Sequence, residues 1–229
     1  MRIERVSPAA FASMSASLLS VRVRRAIDTR GRCVIGLSGG STPKPVYELL
    51  GTDASIDWSK VGVFLYDERY VPAADPNSNQ RLVRETLLKA ARIPEAQCVF
   101  PDTALPVDAC LRDYSVRVKA LWNDHLPDIG ILGMGDDGHI ASLFPPLSDL
   151  ALSDERFALH TTTERFAVKD RLSLSLNVVS AAQSHTFLFT GQAKFDVWND
   201  MLQSPEDERR WPAKRVIDSS PDVTVVFGI

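Results

Sequence analysis

The sequence contains little of what marks a secreted, membrane-spanning or disulfide-bonded protein. Its three cysteines, Cys33, Cys98 and Cys110, form no CxxC pair and lie among apolar neighbours, so we expect reduced, buried thiols. No run of about 18 apolar residues is present, which excludes a bilayer-spanning helix. Residues 1–5 lack the apolar core of a signal peptide. These absences predict a cytoplasmic protein with no membrane partner.

Charge of one sign is lacking as well. The 26 basic and 29 acidic residues are mixed along the chain and leave a net charge of -3, so a nucleic-acid partner is not indicated. No repeat, low-complexity tract or long linker divides the 229 residues. We therefore expect a single domain over residues 1–229, present as a monomer or a small homo-oligomer.

Apolar runs and amphipathic stretches alternate along the chain. The runs typical of buried strands are residues 33–37, 61–66, 128–133, 156–161, 172–174, 186–190 and 223–227. The stretches with helical spacing are residues 8–30, 43–50 and 78–92, the region around 111–121, and the residues after Gly191. This alternation indicates a mainly parallel sheet covered by helices on both faces, which is a three-layer α/β/α sandwich.

Glycine-rich or charged clusters follow four of these segments. In a parallel sheet, ligands bind beyond the carboxyl ends of the strands. We therefore expect residues 38–42, 67–69, 134–139 and 191–194 to face one crevice.

The first cluster contains Gly39, Gly40, Ser41 and Thr42, between a strand and a helix. Glycines let the backbone approach an anion, and the start of a helix presents free N–H groups and a positive dipole end. Phosphate is the anion that such a site most often holds. A tight turn with a capping hydroxyl is the structural alternative. The spacing is not that of a P-loop, so a nucleoside triphosphate is not indicated.

Three cations are candidates for an anionic ligand. Arg69 ends the charged triplet 67–69, and its planar fork of donors suits a phosphate or carboxylate. Arg171 and Lys194 are further candidates, although all three could be solvated surface charges. Asp67 could orient a neighbouring base or a sugar hydroxyl.

The segment 133–139 (GMGDDGH) places Asp137 two residues before His139 in a loop rich in glycine. Histidine titrates near neutral pH and suits proton transfer to and from water. A metal site would need further His or Cys ligands at suitable spacing, and these are missing, so we expect neither metal nor cofactor. No Gly-x-Ser-x-Gly motif indicates a serine nucleophile. We assign no role to His125 or His185.

Five segments, taken in order, resemble the 6-phosphogluconolactonase family, which is related to glucosamine-6-phosphate deaminases and ribose-5-phosphate isomerases. They are 36–43 (GLSGGSTP), 66–72 (YDERYVP) followed by 75–79 (DPNSN), 132–145 (LGMGDDGHIASLFP), 171–174 (RLSL) and 191–194 (GQAK). The collinear match covers most of the chain. Small departures are Ile140, Ser173 and Ser175, which stand where the family commonly has threonine.

The resemblance implies a Rossmann-like fold and the hydrolysis of 6-phospho-D-glucono-1,5-lactone to 6-phosphogluconate, the second step of the oxidative pentose phosphate pathway. Our hypothesis is that His139 activates water while Asp137 orients the imidazole. The phosphate would bind the amides of residues 39–42 with help from Arg69, Arg171 or Lys194. Backbone amides or a cation would stabilise the oxyanion.

Three alternatives stay open at this point. A glucosamine-6-phosphate deaminase resembles this chain at the Asp-Gly-His turn but carries Asn-Glu-Pro soon after it, whereas residues 142–145 here are SLFP. A sugar-phosphate sensor would normally add a DNA-binding helix-turn-helix, and only one helix is predicted before Gly31. The chain could also dock to the dehydrogenase of the preceding step.

Overall fold

The computed structural model describes residues 1–229, in which short strands alternate with helices. The strands are β1 (Arg2–Val6), β2 (Cys33–Leu37), β3 (Val61–Leu65), β4 (Asp67–Arg69), β5 (Cys98–Val99), β6 (Ile129–Leu132), β7 (Ala158–Thr162), β8 (Asp170–Leu174), β9 (Ser184–Thr190) and β10 (Asp222–Gly228). The α-helices are α1 (Pro8–Arg30), α2 (Lys44–Gly51), α3 (Asn79–Val83), α4 (Lys89–Ala91), α5 (Val107–Trp122), α6 (Asp149–Leu152), α7 (Leu176–Val179), α8 (Gln192–Gln203) and α9 (Pro212–Ser219). A π-helical turn, Arg84–Leu88, joins α3 to α4, and short 3-10 turns lie at Trp58–Lys60 and Glu95–Gln97.

Seven strands form one sheet in the order β1-β10-β9-β6-β2-β3-β5, and every neighbouring pair is parallel. The remaining strands form a second, antiparallel sheet in the order β4-β8-β7. The large sheet with its flanking helices confirms the predicted Rossmann-like α/β fold. The second sheet was not predicted.

Both faces of the large sheet are buried, which explains its continuous apolar strands. Along β2, Cys33 and Ile35 belong to a core cluster shared with α1 and α2. Val34, between them, belongs to the opposite cluster, which includes residues of α5, α8, α9 and the small sheet. Successive side chains of a strand point to opposite faces, so one short strand contributes to two cores.

The long first helix begins and ends where the sequence predicts. Pro8 lies in its first turn and Gly31 follows its end in the left-handed conformation, with φ of 75°, which glycine adopts without steric cost. The Gly31 N–H donates to the carbonyl of Ile27. No helix of the protein combines the length and the apolar character that crossing a bilayer requires.

The charged triplet Asp67–Arg69 belongs to a different sheet from the one that the sequence suggests. The sequence suggests the end of the preceding apolar strand, but the chain leaves the large sheet after Leu65, and the triplet pairs with β8 instead. The edge strand β1 was also missed, because three of its five residues are charged and it contains no apolar run.

His185 lies in β9 and is fully buried. Its Nε2 lies 2.8 Å from the Val179 carbonyl, and its Nδ1 lies 2.9 Å from Ser220 Oγ. Burial lowers the pKa of His185 to about 4, although the hydrogen bond to Val179 opposes that shift. The imidazole is therefore neutral in the folded protein at neutral pH, and the contacts are structural ones.

We expect His185 to make the fold sensitive to acid. Because its pKa is lower in the folded than in the unfolded chain, the stability it contributes is complete above about pH 6.5 and is lost as the pH falls towards 4. Its share of the loss between pH 7 and pH 5 is about 2 kcal/mol. Urea unfolding at both pH values should show a smaller acid loss in His185→Gln than in the wild type. Equal losses would contradict this role.

Candidate active site

A cavity of about 370 Å³ opens at the carboxyl ends of the parallel strands. That volume lies in the range of ~300–1,000 Å³ usual for small-molecule sites. Nine of the ten residues selected from the sequence line it, namely Gly39, Gly40, Ser41, Thr42, Asp67, Arg69, His139, Arg171 and Lys194. The tenth, Asp137, lies behind His139 and contacts it directly.

His139 and Asp137 form a hydrogen-bonded pair after β6. The Nδ1 atom of His139 lies 2.5 Å from Oδ1 of Asp137. A carboxylate only accepts hydrogen bonds, so the Nδ1 atom carries the proton and donates it. The Nε2 atom then keeps its lone pair, which is the protonation state of a general base.

The glycines of this turn permit the close approach of the pair. A methyl group at Gly135 would overlap the Nδ1 atom of His139 and would lie 2.5 Å from Oδ1 of Asp137. Gly138 has φ of +88°, a conformation that other residues rarely adopt. The Gly135 N–H donates to the His139 carbonyl at 2.8 Å and so closes the turn.

Asp137 is held as a carboxylate. Partial burial raises its pKa, but the hydrogen bond and charge of His139, together with Arg165, outweigh burial and bring the pKa to about 2. Arg165 Nη1 lies 3.3 Å from the second carboxylate oxygen. Asp137 can therefore stabilise a protonated imidazole throughout the neutral pH range.

Two phenylalanines form an apolar wall beside the imidazole, and neither was selected from the sequence. The ring centroids of Phe144 and Phe166 lie 4.8 and 5.8 Å from that of His139. Phe166 comes from the loop between β7 and β8, and Arg171 packs over its ring at 5.5 Å. Only the pairing of these strands brings Phe166 to the site, so no local sequence signal identifies it.

The opposite end of the cavity presents free backbone N–H groups. None of the four from Gly39 to Thr42 donates a hydrogen bond within the protein, and Gly40 has φ of 109°. The Asn79 side chain packs against Gly39 so closely that a methyl group there would overlap it. Unpaired N–H groups in a turn before a helix form an anion-binding site.

Arg69 and Arg171 lie directly opposite each other on the antiparallel strands β4 and β8. Arg171 is 6% exposed, and neither residue forms a salt bridge with a carboxylate. Burial, with a smaller effect from Arg69, lowers the pKa of Arg171. Two like charges across a strand pair repel each other, so this arrangement favours a bound anion.

The carboxyl groups beside these arginines have separate partners. Asp67 accepts a hydrogen bond from Ser142 Oγ at 2.7 Å and lines the cavity. Glu68 is fully buried and accepts from the backbone N–H groups of Arg69, Asn79 and Gln80. Burial raises the pKa of Glu68 to about 7, and these hydrogen bonds oppose the shift. Glu68 thus attaches the strand bearing Arg69 to the start of α3.

Lys194 lies in the first turn of α8. Its Nζ atom donates to the Met134 carbonyl at 2.8 Å and lies 2.6 Å from Asp136 Oδ1. These contacts place its charge at the glycine-rich turn that bears His139. No group of three or more His, Cys, Asp or Glu side chains in the structure could hold a metal ion.

Comparison with known proteins gives consistent matches. The family model described as glucosamine-6-phosphate isomerases/6-phosphogluconolactonase matches residues 6–226. The "Probable 6-phosphogluconolactonase" of Dictyostelium discoideum is 41% identical over 196 residues, covering 84% of this chain and 83% of that protein. A solved 6-phosphogluconolactonase from Plasmodium vivax superposes with a TM-score of 0.90 at 29% identity, covering 99% of this chain and 90% of its own. One from Thermotoga maritima gives 0.87 at 27% identity, covering 99% and 98%.

We expect Gly135→Ala to separate His139 from Asp137, because its methyl group overlaps the imidazole. The downfield ¹H resonance of the Nδ1 proton in this short hydrogen bond should disappear from the NMR spectrum. Gly133→Ala is the matched control, since the nearest atom to its methyl group would be 3.9 Å away. An unchanged resonance in Gly135→Ala would show that the turn relaxes without breaking the pair.

Proposed function

Because this chain belongs to the glucosamine-6-phosphate isomerase/6-phosphogluconolactonase family, we propose that it hydrolyses 6-phospho-D-glucono-1,5-lactone to 6-phosphogluconate. Family membership confirms the resemblance drawn from the five sequence segments. The reaction is a step of the pentose phosphate pathway, and the substrate is a small sugar-phosphate lactone.

The proposal is supported mainly by the two ends of one cavity. One end carries a histidine suited to act as a general base, and the other carries groups suited to bind an anion. His139, backed by Asp137, lies at one wall. The rest of the cavity is lined by the free N–H groups of residues 39–42 and by two guanidinium groups that form no salt bridge with a carboxylate. A small molecule that carries both an ester and a phosphate fits this cavity, because the ester can react beside His139 while the phosphate binds the N–H and guanidinium groups.

In the mechanism we infer, the Nε2 atom of His139 takes a proton from water, and the resulting hydroxide attacks the lactone carbonyl carbon. Asp137 stabilises the imidazolium that forms. The tetrahedral intermediate collapses as the bond between the carbonyl carbon and the ring oxygen breaks. His139 returns its proton to that oxygen, which leaves as a hydroxyl of the open-chain acid.

We assign the phosphate to the N–H groups of residues 39–42 with Arg69 and Arg171. Both guanidinium groups lack a carboxylate partner, whereas Lys194 is paired with Asp136. Lys194 lies beside the turn of the catalytic pair, so it is better placed for the reacting end of the substrate. Asp67, bonded to Ser142, is free to accept a hydrogen bond from a sugar hydroxyl.

The surroundings of His139 favour lactone hydrolysis over deamination. The deaminases that this chain resembles carry a further carboxylate shortly after the Asp-Gly-His turn. Phe144 lies in that stretch here, with its ring 4.8 Å from the imidazole. An apolar ring cannot supply the proton transfers that the additional carboxylate would provide.

The proposal is tested by following acid production from freshly made 6-phosphogluconolactone, with and without a chelator. We expect hydrolysis in both conditions, and His139→Ala should lower kcat by roughly two to four powers of ten with a smaller change in KM. Release of ammonia from glucosamine 6-phosphate would be contrary to the proposal. Near-normal turnover in the variant would remove His139 from the mechanism.

Arg69→Ala should act mainly on binding. Loss of a charge-assisted hydrogen bond to phosphate should raise KM roughly 10- to 100-fold and change kcat less. Arg81→Ala is a suitable control, because Arg81 pairs with Glu85 at the surface and should leave KM unchanged. If KM were unaltered in Arg69→Ala, the phosphate would have to bind elsewhere.

A further inference from the structure

The turn that bears the catalytic pair is held from outside by a distant segment of the chain. Residues 207–211 cross behind it, immediately before α9. Arg210 Nη1 donates to the main-chain carbonyl of Asp137 at 2.8 Å. The same guanidinium group stacks on the Trp211 ring, with its central carbon 3.8 Å from the ring centroid.

Trp211 completes this contact. It is 6% exposed, and its ring lies so close to Gly138 that a methyl group there would be 2.7 Å from two ring carbons and 2.9 Å from Arg210 Nη1. Gly138 stands between Asp137 and His139 in the sequence. The segment therefore contacts the backbone that joins the two members of the pair.

Segment 207–211 is itself rigidly organised. Asp207 accepts hydrogen bonds from the N–H groups of Arg209, Arg210 and Trp211. The backbone of Arg209 accepts from the Leu147 N–H at 2.8 Å. A loop fixed in this way can hold the glycine-containing turn in one position.

The turn needs such support because little else constrains Asp137. Its side chain contacts His139 and Arg165, and the side chain of Arg165 is 58% exposed. Glycines give a turn conformational freedom, while proton transfer requires the imidazole within a fraction of an ångström of its productive position.

We propose that Arg210 is a positioning residue of the active site, which fixes the turn so that Asp137 stays aligned with the imidazole of His139. Arg210 touches no cavity atom and acts through Asp137. The kinetic test of this inference rests on the proposed lactone hydrolysis. A second, independent test uses the hydrogen bond between Asp137 and His139.

The matched variants are Arg210→Met and Arg209→Met. Arg209 is the neighbour of Arg210, but it bonds to the Leu147 carbonyl and to Asp149, away from the catalytic turn. Arg210→Met should lower kcat roughly 10- to 100-fold with little change in KM, and the acid limb of its kcat/KM profile should move to lower pH. Arg209→Met should leave both kcat and the acid limb of the pH profile unchanged. Arg210→Lys, which retains the charge, should fall between the two.

A double-mutant cycle tests whether Arg210 affects kcat through Asp137. If Arg210 acts through Asp137, adding Arg210→Met to Asp137→Asn should lower kcat far less than it does in the wild type. Fully additive losses would overturn the proposal, as would equal losses in Arg209→Met and Arg210→Met.

An NMR measurement separates this inference from the proposed function. The downfield Nδ1 proton of His139 should weaken or shift in Arg210→Met and stay unchanged in Arg209→Met, whatever the substrate is. If the wild type did not hydrolyse the lactone, only the proposed function would be contradicted. If the resonance were unchanged in Arg210→Met, only the positioning role of Arg210 would be contradicted.

Discussion

The hydrogen bond between Asp137 and His139 is the interaction on which the remaining arrangement of the site depends. It sets the tautomer of the imidazole and so decides which nitrogen faces the cavity. The bond requires a backbone that no side chain obstructs, which explains the glycine at position 135. It also requires a carboxylate that stays ionised, and a pKa of about 2 for Asp137 meets that condition. The apolar rings of Phe144 and Phe166 pack beside the imidazole.

At the other end of the cavity the two arginine charges have no carboxylate partner, and their side chains donate only to the backbone carbonyls of Asn77 and Val168. Arg69 and Arg171 face each other across two strands, and four backbone N–H groups lie nearby without acceptors. Like charges directly opposite each other on paired strands repel. An anionic ligand bound between the two arginines would relieve that repulsion. Glu68 contributes by holding the strand of Arg69 against α3.

Each of the two sheets supplies a different part of the cavity. The large parallel sheet brings the ends of β2, β6 and β9 to one edge and thereby places the turn of residues 39–42, the Asp137–His139 pair and Lys194. The small antiparallel sheet crosses that edge and supplies Arg69, Arg171 and Phe166. The substrate would lie between them, anchored to both. A lactone ring with a distant phosphate can use such a divided site, because the anchor and the reacting carbon are separate groups.

Five of the seven strands of the large sheet, the helices that pack beside them at residues 8–30 and 43–50, and nine of the residues that line the cavity follow from the sequence, since these depend on local signals. Apolar runs, glycine turns and helix ends act within a few residues of one another. The sequence could not reveal the small sheet, because β4 pairs with β8 about a hundred positions later in the chain. For the same reason Phe166 and Arg210 escaped notice, as neither stands in a distinctive local pattern. The tertiary structure alone decided which isolated charges and rings meet, because contacts between remote segments depend on the packing of the whole chain.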